Sequence, residues 1–355
     1  MGVHCIAILF KLLIFIQIFL ILAGQYAYAE NHFSAESLPK VVKQGEVCLI
    51  SAFGPASMKS IHVEFQGARF PMAFREQNGA YKGLIGFDMN TRPGLYEIKV
   101  IATDGGKGVY VDAHSIKVER VHFGIQKLLL PSSMVNLDPR NRERVNQEAR
   151  QLKALFQGFR DERLWRGAFI RPVEGELSGA FGLRRMMNGQ PQSPHTGVDL
   201  QAKEGTPVLA CNSGMVVLVH QLFLSGKSII LDHGWGLYSM YFHLSETPVK
   251  EGDIVSKGAI LGRVGSTGRS TEPHLHWGIR MNGARVDPLS LLDVTKTAES
   301  DLDRLLKNAH LRRCPHPSSL RRTFKYASLL RISGALHLGI FEQPAKNEVF
   351  NRLLK

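Results

Sequence analysis

Three short stretches of the chain alternate polar and apolar residues with a period of two: HTGVDLQ (195–201), LYSMYFHL (237–244) and HLHWGIR (274–280). Successive side chains of an extended strand point to opposite faces. Each stretch can therefore bury one face and hold imidazoles or a carboxylate on the other. In the third, His274, His276 and Arg280 share a face, while Leu275, Trp277, Ile279 and Met281 share its opposite. In the first, His195, Gly197 and Asp199 alternate with Thr196, Val198 and Leu200; in the second, Ser239, Tyr241 and His243 alternate with Met240, Phe242 and Leu244. Apolar burial at roughly 25 cal/mol per Å² decides which face turns inward. The polar faces are left to meet in a groove.

Two histidines and one carboxylate form a donor set that suits a catalytic zinc, with three protein ligands and a fourth position for water. Such a site lowers the pKa of bound water toward about 7 and polarises a carbonyl. Remaining histidines can then move protons or stabilise an oxyanion. Taken singly, each residue has a plainer reading. His243 alone is a strand histidine bonded to backbone, and His195 with Asp199 is a charge pair in a turn. Asp232-His233-Gly234 reads as turn chemistry and His220 as a surface residue. The ordered combination H-x-x-x-D, Y-x-H-L, H-x-H carries more than its parts.

The rest of the chain divides by pattern. LLIFIQIFLILA (12–23), preceded by Lys11 and followed by Ala27-Tyr28-Ala29, reads as an export signal over 1–29, cleaved after Ala29. An uncleaved anchor facing outward is the alternative, with Lys11 against it. Residues 30–120 alternate in short runs split by Gly, Pro and Asn, and predict an Ig-like β-sandwich. Over 121–170 the period changes. Asp138 can cap a helix, Pro139 suits its first position, and Val145, Ala149, Leu152, Leu155, Phe156 and Phe159 follow helical spacing. Residues 171–294 return to short, glycine-punctuated strands. The fold class expected is mainly β (α+β). Residues 295–355 form a basic tail, with a candidate helix at 299–309 and otherwise a pattern consistent with disorder.

Cysteine usage does not suggest a disulfide scaffold: Cys5 lies in the leader, and Cys48, Cys211 and Cys314 are odd in number and far apart. The net charge of +13 makes anionic polymers plausible partners. Twelve Lys/Arg against five Asp/Glu fall in 296–355, so over half of the excess sits in the tail. With no recognisable binding motif, nucleic acid is not an expected partner; the tail is instead expected to meet anionic wall polymers.

Over roughly 175–292 the chain resembles the M23 family of zinc metallopeptidases, the lysostaphin and LytM-type cell-wall endopeptidases. The resemblance rests on SGAFGLRR, SPHTGVDLQAKEGTPVLA, SGMVVLV, IILDHGWG, YFHLS, VKEGDIVSKGAILGRVGSTGRS and PHLHWGIRMNGARVDPLSLL. It implies a β-rich catalytic fold with a narrow open groove, zinc ligation by His195, Asp199 and His276, and catalytic roles for His243 and His274. Glu272 departs from the family pattern, which commonly has glycine there. Tyr241 and Arg184 are candidate substrate contacts, with core packing and a surface position as their plainer readings. The loop 185–195 stands where a segment can cover the groove. The expected activity is zinc-dependent cleavage of peptide cross-links in bacterial peptidoglycan by an exported enzyme of the periplasm, cell envelope or surroundings. The alternative is a catalytically silent LytM-type module that binds wall or activates another hydrolase. The sequence leaves the scissile bond and the oligomeric state open.

Overall fold

A computed structural model describes residues 33–55, 58–72, 80–105 and 108–297. The leader, Cys314 and the basic tail lie outside the described residues. So does the helix expected at 299–309. Among the described residues no helix is long and apolar enough to cross a membrane.

The amino-terminal part is built of β1 (Ser34–Leu38), β2 (Val41–Lys43), β3 (Val47–Phe53), β4 (Ser60–Phe65), β5 (Ala68–Pro71), β6 (Tyr81–Gly86), β7 (Gly94–Thr103) and β8 (Val109–Glu119). They form two sheets, ordered β1-β3-β6 and β2-β8-β7-β4-β5, with β2 parallel to β8. The sheets share a core that includes Ile50, Val63, Phe87, Ile98, Val100 and Ile116. Strand β3 reads VCLISAF, with no polar alternation, because both of its faces are covered. Cys48 and Ile50 enter this core, while Val47 and Leu49 enter a second core together with Val198 and Trp277.

The segment between the two parts is not purely helical. Its first element is a strand, β9 (Ile125–Leu128), followed by the single turn α1 (Ser132–Val135) and the helix α2 (Pro139–Leu155). Asp138 caps α2 by accepting from the backbone N–H groups of Arg140 and Asn141 at 2.9 and 3.0 Å. The apolar stripe of α2 lays Leu152 and Leu155, with Phe156 just beyond, against Ile230, Tyr238, Met240 and Phe242. Phe159 stays 55% exposed, because the helix has already ended.

The remaining strands are β10 (Glu176–Gly179), β11 (Arg184–Met187), β12 (Gln190–Pro191), β13 (Gly197–Gln201), β14 (Pro207–Leu209), β15 (Gly214–Leu222), β16 (Gly226–Asp232), β17 (Leu237–Glu246), β18 (Ile254–Val255), β19 (Ile260–Val264), β20 (His274–Met281) and β21 (Ala284–Val286). Ten of them share a sheet whose main path is β10-β13-β20-β17-β16-β15-β18. Strand β9 pairs in parallel with β11, which also carries β12, as a separate three-stranded sheet.

At the centre of the large sheet the register is Val198↔Trp277↔Tyr241 on one row and Asp199↔His276↔Phe242 on the next. The first row is core. Aromatic side chains bury roughly 150–250 Å² each, about 4–6 kcal/mol at 25 cal/mol per Å². A slip of one residue would expose Trp277 and bury the charged row, so the register is strongly specified.

Strand β17 departs from the plain alternation read in its sequence. Ile229 pairs with Tyr241 and Lys227 with Leu244, so three steps on β17 match two on β16. The extra residue is a bulge, and His243 within it has φ of 64°. Tyr241 and Leu244 consequently both reach the core, and Phe242, not Tyr241, shares the open face with His276.

Candidate functional site

The open face of β13 and β20 carries the chemistry. Asp199 lies opposite His276 in the ladder, and His195 arrives from the approach to β13. His195 is held there by two backbone bonds: its N–H donates to the Leu183 carbonyl at 2.9 Å, and its carbonyl accepts from Gly182 at 2.8 Å. Gly197 makes the close approach of β13 to β20 feasible. A Cβ there would stand 2.4 Å from the Trp277 carbonyl oxygen and 2.8 Å from His276 Nε2.

Three atoms converge. His195 Nε2, His276 Nδ1 and Asp199 Oδ1 form a triangle with edges of 2.9, 2.8 and 2.9 Å. All three residues are buried. His195 Nδ1 lies 2.8 Å from the Ala180 carbonyl, so the neutral ring donates there and leaves a lone pair on Nε2. That lone pair faces a carboxylate oxygen and a second ring nitrogen, with at most one proton, on His276 Nδ1, to share among them. Burial pushes the His276 imidazole down to about 4 against the pull of Asp199, so the ring is neutral at pH 7. Burial alone would raise the Asp199 carboxyl, but the His195 and His276 imidazoles in contact with Oδ1 hold it well below the usual carboxylate range. Converging lone pairs short of protons are what a cation relieves, and an N₂O donor set with one ring tied back to a carbonyl fits zinc.

His274 and His243 flank this triangle. His274 Nε2 is 3.8 Å from Asp199 Oδ1, and its Nδ1 lies 2.9 Å from the Glu272 carbonyl. His243 Nδ1 lies 2.7 Å from the Thr267 carbonyl. The two rings are 4.8 Å apart, centroid to centroid. In each the backbone carbonyl takes the Nδ1 proton, which leaves Nε2 with its lone pair. Burial, aided by His274 and His276, pushes His243 down to about 3. Both residues line a cavity of about 90 Å³ together with Asp199 and Arg185. Gln126, Leu128 and Leu130, from β9 and the segment after it, close its other side.

The structure puts both candidate substrate contacts, Tyr241 and Arg184, outside the cavity beside the triangle. Tyr241 is fully buried and belongs to the core; its hydroxyl accepts from the Cys211 N–H at 2.9 Å and lies 3.0 Å from Ser239 Oγ. The bulge at His243 shifts the phase and turns Tyr241 away from the groove. Arg184 is exposed on β11, outside the cavity. Its neighbour Arg185 points the other way, as alternation requires, and donates to Asp199 Oδ2 at 2.7 Å. Both arginines are visible in the sequence, but choosing between them needs the strand's phase relative to the groove. Most of the loop 185–195 is the β11–β12 hairpin. It contributes Arg185 and Met187 to the cavity wall. Glu272 accepts from Gln201 at 3.4 Å on the exposed rim, and its backbone carbonyl serves His274.

Behind the sheet, His233 is fully buried. Its Nδ1 lies 2.7 Å from the Ser213 carbonyl and its Nε2 2.7 Å from Ser239 Oγ. Burial pushes it down to about 4. Cys48 and Cys211 are buried free thiols, pushed up by burial to about 12 and about 11.

Comparison with known proteins places this arrangement. Residues 193–288 match the model of peptidase family M23. The chain is 39% identical over 128 residues to the DD-carboxypeptidase/endopeptidase Mpg of Neisseria meningitidis serogroup B, a match covering 36% of this chain and 30% of the relative. It is 32% identical over 139 residues to the peptidoglycan DD-endopeptidase ShyA of Vibrio cholerae, covering 39% of this chain and again 30% of the relative. A crystal structure from Pseudomonas aeruginosa, described as a candidate M23 peptidase, superposes with a TM-score of 0.55 at 28% identity, over 71% of this chain and 95% of that one. The chain thus aligns with less than a third of the length of these curated relatives, while the structural likeness reaches well beyond residues 193–288.

Proposed function

On the match of residues 193–288 to peptidase family M23, we propose that this chain is a zinc endopeptidase of the bacterial cell envelope that hydrolyses peptide cross-links of peptidoglycan. The observation that carries the reading is the triangle of His195 Nε2, His276 Nδ1 and Asp199 Oδ1, with two further imidazoles beside it. The names of the Neisseria and Vibrio relatives support the substrate class.

His195, Asp199 and His276 would hold the ion, which when bound supplies Lewis-acid polarisation of the scissile carbonyl and acidifies water. His243 and His274 do the proton work. Each has its Nδ1 proton committed to a backbone carbonyl, so Nε2 first accepts the proton of the attacking water and then delivers it to the leaving amine. Arg185 holds the second carboxylate oxygen of Asp199 and fixes which oxygen faces the histidines. Filled positions at all five residues support an enzyme over a silent module.

For residues 30–120 the two-sheet order supports an Ig-like sandwich acting as a spacer or docking unit, with 121–170 as connector and 171–294 as the catalytic domain. The leader 1–29 would direct export, and the basic tail would hold anionic wall polymers.

Digestion of purified peptidoglycan, followed by mass spectrometry of the fragments, tests the reading. The zinc-loaded protein is expected to convert cross-linked peptide dimers to monomers, and His276→Ala to lose that activity by at least a thousandfold. Intact dimers after digestion by the zinc-loaded protein, or full activity of His276→Ala, would overturn it.

A further inference from the structure

Beside the metal triangle, on the same open face of the sheet, a second and larger cavity of about 430 Å³ runs between that face and α2. Its walls include Leu152, Lys153 and Phe156 on one side and Met240, Phe242 and Arg280 on the other. It adjoins the site: the Phe242 ring stacks on His276 at 5.5 Å with 7° between planes, and Thr196, next to His195, lines its wall. Gly278 gives the Met240 wall its room, since a Cβ there would come within 2.6 Å of the Met240 methyl.

Arg280 is the unusual member. It shares the strand face of His274 and His276. Its Nε is buried without a hydrogen-bond partner, and its Nη1 reaches only the Gly283 carbonyl at 3.4 Å. Its guanidinium lies 5.4 Å over the Phe156 ring. The acid that could neutralise it, Asp88, is taken by Arg285 through two side-chain bonds of 2.9 and 2.7 Å. Among the described residues no Asp or Glu lines the cavity, and Lys153 adds a second cation to its wall. Cations that lose part of their water ordinarily carry a partner; this half-buried one is offered to whatever enters the cavity.

We propose that this cavity is a substrate subsite in which Arg280, assisted by Lys153, binds a free carboxylate of the peptide stem whose cross-link is cut. The proposal rests on the endopeptidase reading and narrows its substrate to acidic stems. His276 and Arg280 are four residues apart along β20, about 13 Å at 3.3 Å per residue. A peptide running from the metal over Phe242 and Met240 would therefore reach Arg280 with about four extended residues. The apolar walls take its small side chains, and the guanidinium fork takes the carboxylate in a bidentate pair.

The test uses cross-linked stem dimers whose acceptor stem ends in a free carboxylate, against the same dimers amidated there. Two quantities are measured on the full chain: kcat/KM for the zinc-loaded protein, and affinity by fluorescence anisotropy with zinc chelated. The wild type is expected to favour the carboxylate over the amide by about 10- to 100-fold, the worth of a charge-assisted hydrogen bond. Arg280→Gln is expected to bring the ratio to near one, and Arg280→Lys to keep it above one. A wild-type ratio of one, or an unchanged ratio in a folded Arg280→Gln protein, overturns the subsite. If neither dimer is cleaved but binding still discriminates, the endopeptidase reading fails and the subsite stands. Absence of both cleavage and binding preference removes both.

Discussion

Asp199 divides its carboxylate between two tasks: Oδ1 faces His195 and His276, and Oδ2 accepts from Arg185 at 2.7 Å. Losing such an orienting partner typically costs 10- to 100-fold in metal affinity. Arg185→Gln is expected to weaken zinc binding by that factor while leaving the fold intact, read by titration with a competing chelator. An unchanged affinity would remove Arg185 from the account. Tyr241 makes the opposite case. Tyr241→Phe leaves the buried Cys211 N–H without its acceptor, at a cost of about 1–3 kcal/mol. Denaturant unfolding should show that loss, and KM for peptide should not move; a raised KM at unchanged stability would restore Tyr241 to the groove. His233 sets a pH dependence. Unfolded, a histidine protonates near 6.5; buried, this one waits until about 4. The unfolded state binds more protons between those values, so stability falls as pH drops through that window and levels off below it. The loss is about 3 kcal/mol, and His233→Asn is expected to abolish that share of it. An identical acid profile in the variant would contradict the assignment.

Among the elements, β13 and β20 were legible because plain alternation holds in both. Their apolar faces enter the core and their polar faces carry Asp199, His274 and His276, with His195 just before β13. Strand β17 was not legible in the same way. One extra residue, with His243 at φ of 64°, reverses its phase, and no residue in LYSMYFHL announces a left-handed position as glycine would. Strand β9 was missed for a different reason. IQKL takes its partner from β11, far along the chain, and local pattern cannot report a parallel pairing that distant. The start of α2 was legible from Asp138 and Pro139, since capping is a local property. Asp138→Ala is expected to lower stability by about 1 kcal/mol, visible as a reduced midpoint in chemical denaturation. A midpoint unchanged within error would mean that docking against Tyr238 and Met240, not the cap, sets where the helix begins.

At the scale of the molecule, the two β parts are not independent beads. Val47, Leu49, Leu84 and Met89 from the amino-terminal sheets share a core with Val198, Trp277 and Ile279. Polar links reinforce the junction: Arg285 grips Asp88, the Asp287 N–H donates to the Gly45 carbonyl at 2.7 Å, and the Val47 N–H donates to Ser290 Oγ at 2.9 Å. Sequence patterns separate the parts because their strands pair separately, yet the doubly buried β3 joins them. The whole rests on one convergence, that of His195, Asp199 and His276. Calorimetric titration of the chelated full chain with zinc tests it most directly. One ion per chain with submicromolar affinity is predicted for the wild type, weakened at least a hundredfold by His195→Ala, Asp199→Ala or His276→Ala; no stoichiometric binding, or variants that bind as the wild type does, would contradict it.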